Sequence, residues 1–206
     1  MIIRQETEKD FPQIYEFVKT AFQTAYRSDG SEQDFVNKLR SGGNYIPNLA
    51  LVMIDENRNE NDTGDENKNN IGNDNENKNN IGNDNENKND KIIGHVMLTK
   101  FGIHGVTSMP KNTFEILLLA PLAIAENHRN KGLGSDLVIE SLKRAKAEGY
   151  AAVILVGDPQ YYERFGFVSA AKFNIKNKQN FPDENVMILE LAPGILDGIS
   201  GTVDFD

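Results

Sequence analysis

The sequence predicts an α/β domain whose elements follow the order βααβββαβαββ. Apolar residues recur at helical spacing in four segments and form short runs typical of strands in seven others. Glycine, proline, serine and aspartate residues separate these segments, as turn residues do. The length of 206 residues suits one domain. We therefore expect residues 1–206 to form a single domain, interrupted by one insertion.

Each element follows from one of these patterns. The first helix starts near Thr7 and Asp10, and the third ends at Gly149, which is a good C-cap. The predicted strands are Met1–Glu6, Leu49–Asp55, Lys91–Lys100, Phe114–Ile124, Ala151–Val156, Gly166–Ile175 and Asn185–Leu191. The predicted helices are Thr7–Phe22, Ser31–Leu39, Lys131–Glu148 and Pro159–Arg164.

Residues 57–90 differ from the rest of the chain in composition. The segment Asn67–Gly72 returns ten residues later as Asn77–Gly82, and two isoleucines are its only large apolar residues. It contains nine acidic and four basic residues, so it contributes −5 of the net charge of −9. Such a segment cannot bury enough apolar area to offset its ordering entropy. We expect a disordered loop that joins two strands as an elongated hairpin connection.

The composition excludes several classes of function. The chain has no cysteine, so disulfides, thiolate metal sites and a cysteine nucleophile are excluded. Its three histidines show no metal-ligand spacing, and we expect no metal. The net charge of −9 argues against nucleic-acid binding. The chain has no signal-peptide pattern and no apolar run long enough to span a membrane, which favours a cytoplasmic protein.

The segment Arg129–Ser135 is typical of a phosphate site, because it joins a strand to a helix. A helix N-terminus offers unpaired N–H groups and a partial positive charge. Gly132 and Gly134 would let the backbone approach a pyrophosphate, although an ordinary tight turn explains two glycines equally well. A dinucleotide fingerprint needs a further glycine where Leu137 stands. A P-loop needs its lysine after the glycine, whereas Lys131 precedes it.

The segment from Leu122 to Gly134 resembles the acetyl-CoA motif of the GNAT superfamily of N-acetyltransferases, in which Arg/Gln-x-x-Gly-x-Gly/Ala opens a helix. Tyr162–Phe167 is similar to the Tyr-Glu-x-x-Gly-Phe signature of that family. Pro121–Ile124 and Gly157–Tyr162 look like one subgroup of predicted N-acetyltransferases whose substrates are poorly defined. The resemblance covers nearly the whole chain outside the insertion. It implies a mixed, mostly antiparallel sheet flanked by helices.

The resemblance also implies roles for individual residues. The backbone of Leu122–Ile124 would pair with the pantetheine arm as an extra strand does, and Pro121 would mark a bulge where this strand parts from the next. Tyr162 would protonate the coenzyme A sulfur, with the adjacent Tyr161 as the alternative acid. The implied cofactor-binding residues are Leu122, Ala123, Ile124, Arg129, Asn130, Lys131, Gly132, Leu133, Gly134 and Ser135.

The sequence leaves four features open. The general base is Glu115, Asp158 or water, although Asp158 also suits an N-cap for the helix that begins at Pro159. The acceptor is an unidentified amine on a small molecule or a peptide, and a homodimer stays open. The alternative to an enzyme is a regulatory or sensor module that binds acetyl-CoA without transferring the acetyl group.

Overall fold

A computed structural model describes residues 1–24, 28, 30–55 and 91–205. They form nine strands and four α-helices, together with several short 3₁₀ turns. The strands are β1 Ile2–Gln5, β2 Tyr45–Asp55, β3 Lys91–His104, β4 Thr113–Ile124, β5 Ala152–Val156, β6 Val168–Ser169, β7 Ile175–Asn177, β8 Val186–Glu190 and β9 Gly201–Val203. The helices are α1 Phe11–Phe22, α2 Glu32–Ser41, α3 Leu133–Ala147 and α4 Pro159–Tyr162.

All nine strands belong to one mixed sheet with the spatial order β1-β2-β3-β4-β5-β8-β6. Strand β9 pairs with both β3 and β7. The pairings are antiparallel except for β4 with β5 and β7 with β9, which are parallel. The predicted mixed, mostly antiparallel sheet flanked by helices is therefore confirmed.

The middle of the sheet opens where β4 leaves β5. These strands pair only at Leu117 with Val153 and at Leu118 with Ile154. The register of β4 against β3 then shifts by one residue, and the cis peptide bond before Pro121 lies within this shift. The predicted bulge at Pro121 is thus confirmed. Beyond it, one edge of the β4 backbone has no strand partner in the part of the chain that the structure describes.

Apolar cores cover both faces of the sheet. On one face, Leu137 and Ala145 of α3 pack with Leu122 and Ile124 of β4. On the other face, α1 and α2 pack against a cluster that includes Ala123. Because side chains alternate along a strand, consecutive residues of β4 contact opposite layers. This alternation directs Leu122 and Ile124 towards α3 and Ala123 towards α1.

Two predictions about the C-terminal third were wrong. The predicted strand Gly166–Ile175 consists of β6, a 3₁₀ turn over Ala170–Phe173 and the start of β7. The Ser169 side chain accepts a hydrogen bond from the N–H of Ala171, which favours a turn over a continuous strand. Asn174 then adopts a positive φ of 55°. The predicted strands also omitted β9, which is only three residues long and is held by its partners β3 and β7.

The insertion connects two paired strands, as expected, because Asp55 of β2 lies opposite Lys91 of β3. The predicted disorder of residues 57–90 falls outside the described residues. Among the helices that the structure describes, none has both the length and the apolar character needed to cross a membrane.

Candidate active site

A groove of about 500 Å³ lies between the end of β4, the N-terminus of α3 and α4. The residues lining it are Leu122, Ile124, His128, Arg129, Asn130, Gly132, Leu133, Gly134, Ser135, Tyr161 and Arg164. The structure therefore brings together eight of the ten residues predicted to bind a cofactor. The other two point elsewhere, since Ala123 is buried on the α1 side and Lys131 is exposed outside the groove wall.

The first turn of α3 supplies hydrogen-bond donors to the groove. The N–H groups of Ser135 and Asp136 both donate to the carbonyl of Gly132, over 2.8 and 3.1 Å. The N–H groups of Leu133 and Gly134 find no backbone acceptor in the described chain. A helix N-terminus carries about half a positive charge, and free N–H groups there suit an anion.

The loop needs a glycine at positions 132 and 134 for two different physical reasons. Gly132 caps α3 with a φ of 85°, in the left-handed region where a side chain causes strain. Gly134 lies against Tyr161, because a Cβ atom at this position would come 2.6 Å from the Tyr161 hydroxyl oxygen. The close approach of the loop to α4 thus depends on the missing side chain of Gly134.

The Arg129 guanidinium is hydrogen-bonded within the protein, which differs from what is expected of a phosphate-binding cation. Its Nε donates to the carbonyl of Ile124 over 3.3 Å, and one terminal nitrogen donates to the Thr24 hydroxyl over 2.9 Å. The other terminal nitrogen donates to the carbonyl of Ala21. The guanidinium therefore ties the groove loop to the C-terminal end of α1, where a cation is favourable.

Tyr161 and Tyr162 occupy different positions, although they are adjacent in sequence. Tyr161 lines the groove and shares a hydrogen bond with Ser135. Tyr162 lies deeper, over Gly157 at the end of β5, where a Cβ atom would come 2.4 Å from the Tyr162 ring. Its ring meets that of Tyr161 edge-on at 4.9 Å between centroids and that of Phe167 at 5.7 Å.

Both phenols stay protonated at neutral pH. Burial raises the pKa of Tyr162, and the neighbouring Tyr161 adds to the effect. Burial also raises the pKa of Tyr161, although its hydrogen bond with Ser135 opposes the change. A phenol whose pKa is raised keeps its proton at neutral pH and can therefore donate a hydrogen bond, and then the proton, to the coenzyme A sulfur as the carbon–sulfur bond breaks.

The carboxylates considered as a general base lie away from the groove wall. Glu115 is exposed on β4, seven residues from Leu122, which corresponds to about 20 Å along a strand. Asp158 is exposed at the end of β5, and its carboxylate accepts a hydrogen bond of 3.0 Å from the N–H of Gln160. The capping role expected for Asp158 is therefore confirmed.

Arg164 is a groove residue that sequence reasoning missed. It lies two residues beyond α4, in the 3₁₀ turn Glu163–Phe165. Its spacing of three residues from Tyr161 places both side chains on one helical face. The sequence signal that could have indicated Arg164 is a cation three residues after an aromatic residue in a predicted helix.

Comparison with known proteins identifies the family. The protein-family model described as an acetyltransferase (GNAT) domain matches residues 2–170. The chain therefore belongs to the GNAT family of acetyltransferases.

Individual relatives agree with this assignment. The chain is 32% identical over 115 residues to the uncharacterized N-acetyltransferase YhbS of Escherichia coli (strain K12), a match covering 56% of this chain. That match spans 65% of the length of the relative. The solved structure of E. coli YhbS in complex with CoA superposes with a TM-score of 0.73 and 25% identity, covering 100% of this chain and 89% of that one.

A more distant structure shares the fold. The GNAT family acetyltransferase from Brucella melitensis, solved in complex with acetyl-CoA, has a TM-score of 0.66 at 19% identity. This match covers 100% of this chain and 95% of that one. The fold of this chain is thus shared with both structures.

Proposed function

We propose that this chain is an acetyl-CoA-dependent N-acetyltransferase that acts on an amine of a small molecule or a peptide. The groove carries this proposal, because it continues from the N-terminus of α3 to the unpaired edge of β4. It has an anion site at one end and an open strand edge beside it. The E. coli relative with the same fold was solved with CoA.

The two parts of the groove suit two parts of acetyl-CoA. The pyrophosphate would accept hydrogen bonds from the N–H groups of Leu133 and Gly134, at the positive end of the α3 dipole. The pantetheine arm would lie along Leu122–Ile124 and pair with the backbone as an added strand does. Beyond Leu118 the β4 backbone lacks its β5 partner, so this edge is available.

The reaction follows from the groups around the strand opening. A neutral amine forms a bond to the acetyl carbonyl carbon, and the carbon–sulfur bond breaks. Tyr162 donates its phenolic proton to the departing thiolate. Water accepts the proton released by the amine, because Glu115 lies far from the groove and the Asp158 carboxylate caps α4. A backbone N–H near Leu122 would stabilise the oxyanion.

Coenzyme A release, measured with acetyl-CoA and a panel of amines and peptides, tests the proposal. We expect at least one amine to release coenzyme A. The variant Tyr162→Phe should lower kcat by about 10²–10⁴-fold, the range for loss of a general acid. Its affinity for coenzyme A should change little, because the ring and its packing remain. Tyr150→Phe is the matched control, since Tyr150 lies outside the groove wall.

Three outcomes would contradict parts of this proposal. Full turnover by Tyr162→Phe together with a loss in Tyr161→Phe would assign the acid to Tyr161. Tight binding of acetyl-CoA without transfer to any amine would favour a sensor module. If calorimetry detects no binding of coenzyme A, the groove is not a cofactor site.

A further inference from the structure

The groove contains a cation that neither the motif nor the family signature assigns. Arg164 lines the same groove as the first turn of α3. Its guanidinium carbon lies 4.9 Å from the centre of the Tyr161 ring. Stacking on an aromatic face restrains the guanidinium plane while its edges stay accessible.

The hydrogen-bonding capacity of Arg164 is largely unused by the protein. One terminal nitrogen donates to the carbonyl of Gln160 over 3.2 Å. No carboxylate pairs with this guanidinium among residues 1–24, 28, 30–55 and 91–205. A guanidinium carries five N–H donors in a planar fork, so several donors remain for a ligand.

The other two cations near the motif are less suited to this position. Arg129 uses three nitrogens on Ile124, Thr24 and Ala21, and Lys131 is exposed outside the groove wall. The first turn of α3 and Arg164 instead both line the groove. An anion bound in the groove would therefore have two sources of positive charge within the same site.

We propose that Arg164 is a cofactor-binding residue that forms a charged hydrogen bond with a phosphate group of coenzyme A. The proposal rests on the function proposed above. Arginine suits this ligand because its fork matches two phosphate oxygens at once. The ring of Tyr161 would hold the guanidinium in place. The helix α4 and the turn that follows it thus supply both the aromatic support and the cation.

Calorimetric titration of the full-length protein with coenzyme A tests the role of Arg164. The variant Arg164→Gln should bind coenzyme A about 10- to 100-fold more weakly, the range for loss of a hydrogen bond to a charged group. Arg164→Lys should recover part of this loss, because it keeps the charge without the fork. Lys176→Ala removes the same charge from an exposed position on β7, outside the groove wall, and should leave the affinity unchanged.

A second ligand shows which phosphate Arg164 contacts. If only coenzyme A binds more weakly to Arg164→Gln, and 3′-dephospho-coenzyme A does not, the contact is the 3′-phosphate. Equal losses with both ligands assign the contact to the pyrophosphate.

Two results would overturn the inference while leaving the proposed function intact. The first is equal affinity of the wild type and Arg164→Gln for coenzyme A. The second is a loss of coenzyme A affinity in Lys176→Ala as large as that in Arg164→Gln. If the wild type itself fails to bind coenzyme A, the proposed function fails first, and this outcome is distinguishable from the other two.

Discussion

The groove and a buried polar cluster lie on opposite faces of the sheet. The buried cluster consists of Glu6, Arg40, Tyr45 and His95, and it sits on the face that α1 and α2 cover. The Glu6 carboxylate accepts hydrogen bonds from Arg40 over 2.7 and 2.8 Å and from Tyr45 over 3.0 Å. It also lies 2.9 Å from Nε2 of His95, and Glu6 and His95 are 2% and 0% exposed.

The comparison shows that charged residues by themselves do not mark a functional site. In the buried cluster, the Glu6 carboxylate has partners for both oxygens within the protein and no access to solvent. In the groove, the N–H groups of Leu133 and Gly134 have no backbone acceptor among the described residues, and Arg164 donates only to the carbonyl of Gln160 there. We therefore interpret the cluster as structural and the groove as the ligand site. Substitutions in the two regions should have opposite effects on stability and on affinity.

The largest expected effect is on the buried cluster. Arg40→Met should lower the free energy of unfolding by about 3–5 kcal/mol, because it leaves the Glu6 carboxylate buried without its main partner. Denaturant titration measures this change. Coenzyme A affinity of the protein that remains folded should stay within about twofold of the wild type, well below a tenfold step of about 1.4 kcal/mol.

Arg144→Met is the matched control for this experiment. Arg144 pairs with Glu140 on the partly exposed surface of α3, and such a pair contributes about 0.3–0.5 kcal/mol. A selective loss of coenzyme A affinity in Arg40→Met, without loss of stability, would show that the cluster belongs to the ligand site.

Acid should unfold the protein partly through the same cluster. Burial alone would raise the pKa of Glu6, but hydrogen bonds from Arg40 and His95 outweigh burial and lower this pKa to about 2, below the ordinary 4.5. The unfolded chain therefore binds the proton first as the pH falls. The contribution of Glu6, about 3 kcal/mol, is complete above pH 4.5 and is lost towards pH 2.

Urea unfolding at several pH values between 7 and 2 measures this loss. The free energy of unfolding should fall less steeply with acid in Glu6→Gln than in the wild type, because an amide side chain at this position does not titrate. Equal pH slopes in the two proteins would mean that Glu6 has the same pKa in the folded and unfolded chains.

Much of the groove could be predicted from sequence, because local signals define it. The apolar strand that ends at Ile124, the glycines of the loop and the amphipathic pattern of α3 are all contained in one continuous segment. Pro121 indicated the bulge for the same reason, since proline cannot donate a hydrogen bond to a neighbouring strand.

The features that sequence reasoning missed depend on contacts between distant residues. The direction of the Arg129 guanidinium is set by Thr24 and Ala21, more than a hundred positions earlier in the chain. The buried cluster joins Glu6, just after β1, to His95 of β3, and neither residue stands out locally. Strand β9 exists because β3 and β7 hold it, and its three residues carry no strand pattern of their own.

The prediction for the groove is the reverse of that for Arg40→Met. The affinity for coenzyme A should fall, whereas stability should hardly change. Gly134→Val should weaken coenzyme A binding by about 100-fold or more, equivalent to about 2.7 kcal/mol. The new side chain would displace the Tyr161 hydroxyl, 2.6 Å from the Cβ position, or project into the groove. Its effect on the unfolding free energy should be small, because removing a helix glycine gains at most about 0.5–1 kcal/mol and displacing the Tyr161 side chain opposes this gain.

Gly43→Val is the matched control for Gly134→Val, because a Cβ atom at Gly43 would meet nothing within 4 Å and Gly43 lies outside the groove. Calorimetry and thermal unfolding of both variants separate the two quantities. Unchanged affinity in Gly134→Val would remove the α3 N-terminus from the cofactor site. Unfolding of Gly134→Val as severe as that of Arg40→Met would show that the loop is part of the structural core. The distinction between the groove, whose donors await a ligand, and the buried cluster, whose polar groups pair with one another, would then fail. Both regions would contribute to stability.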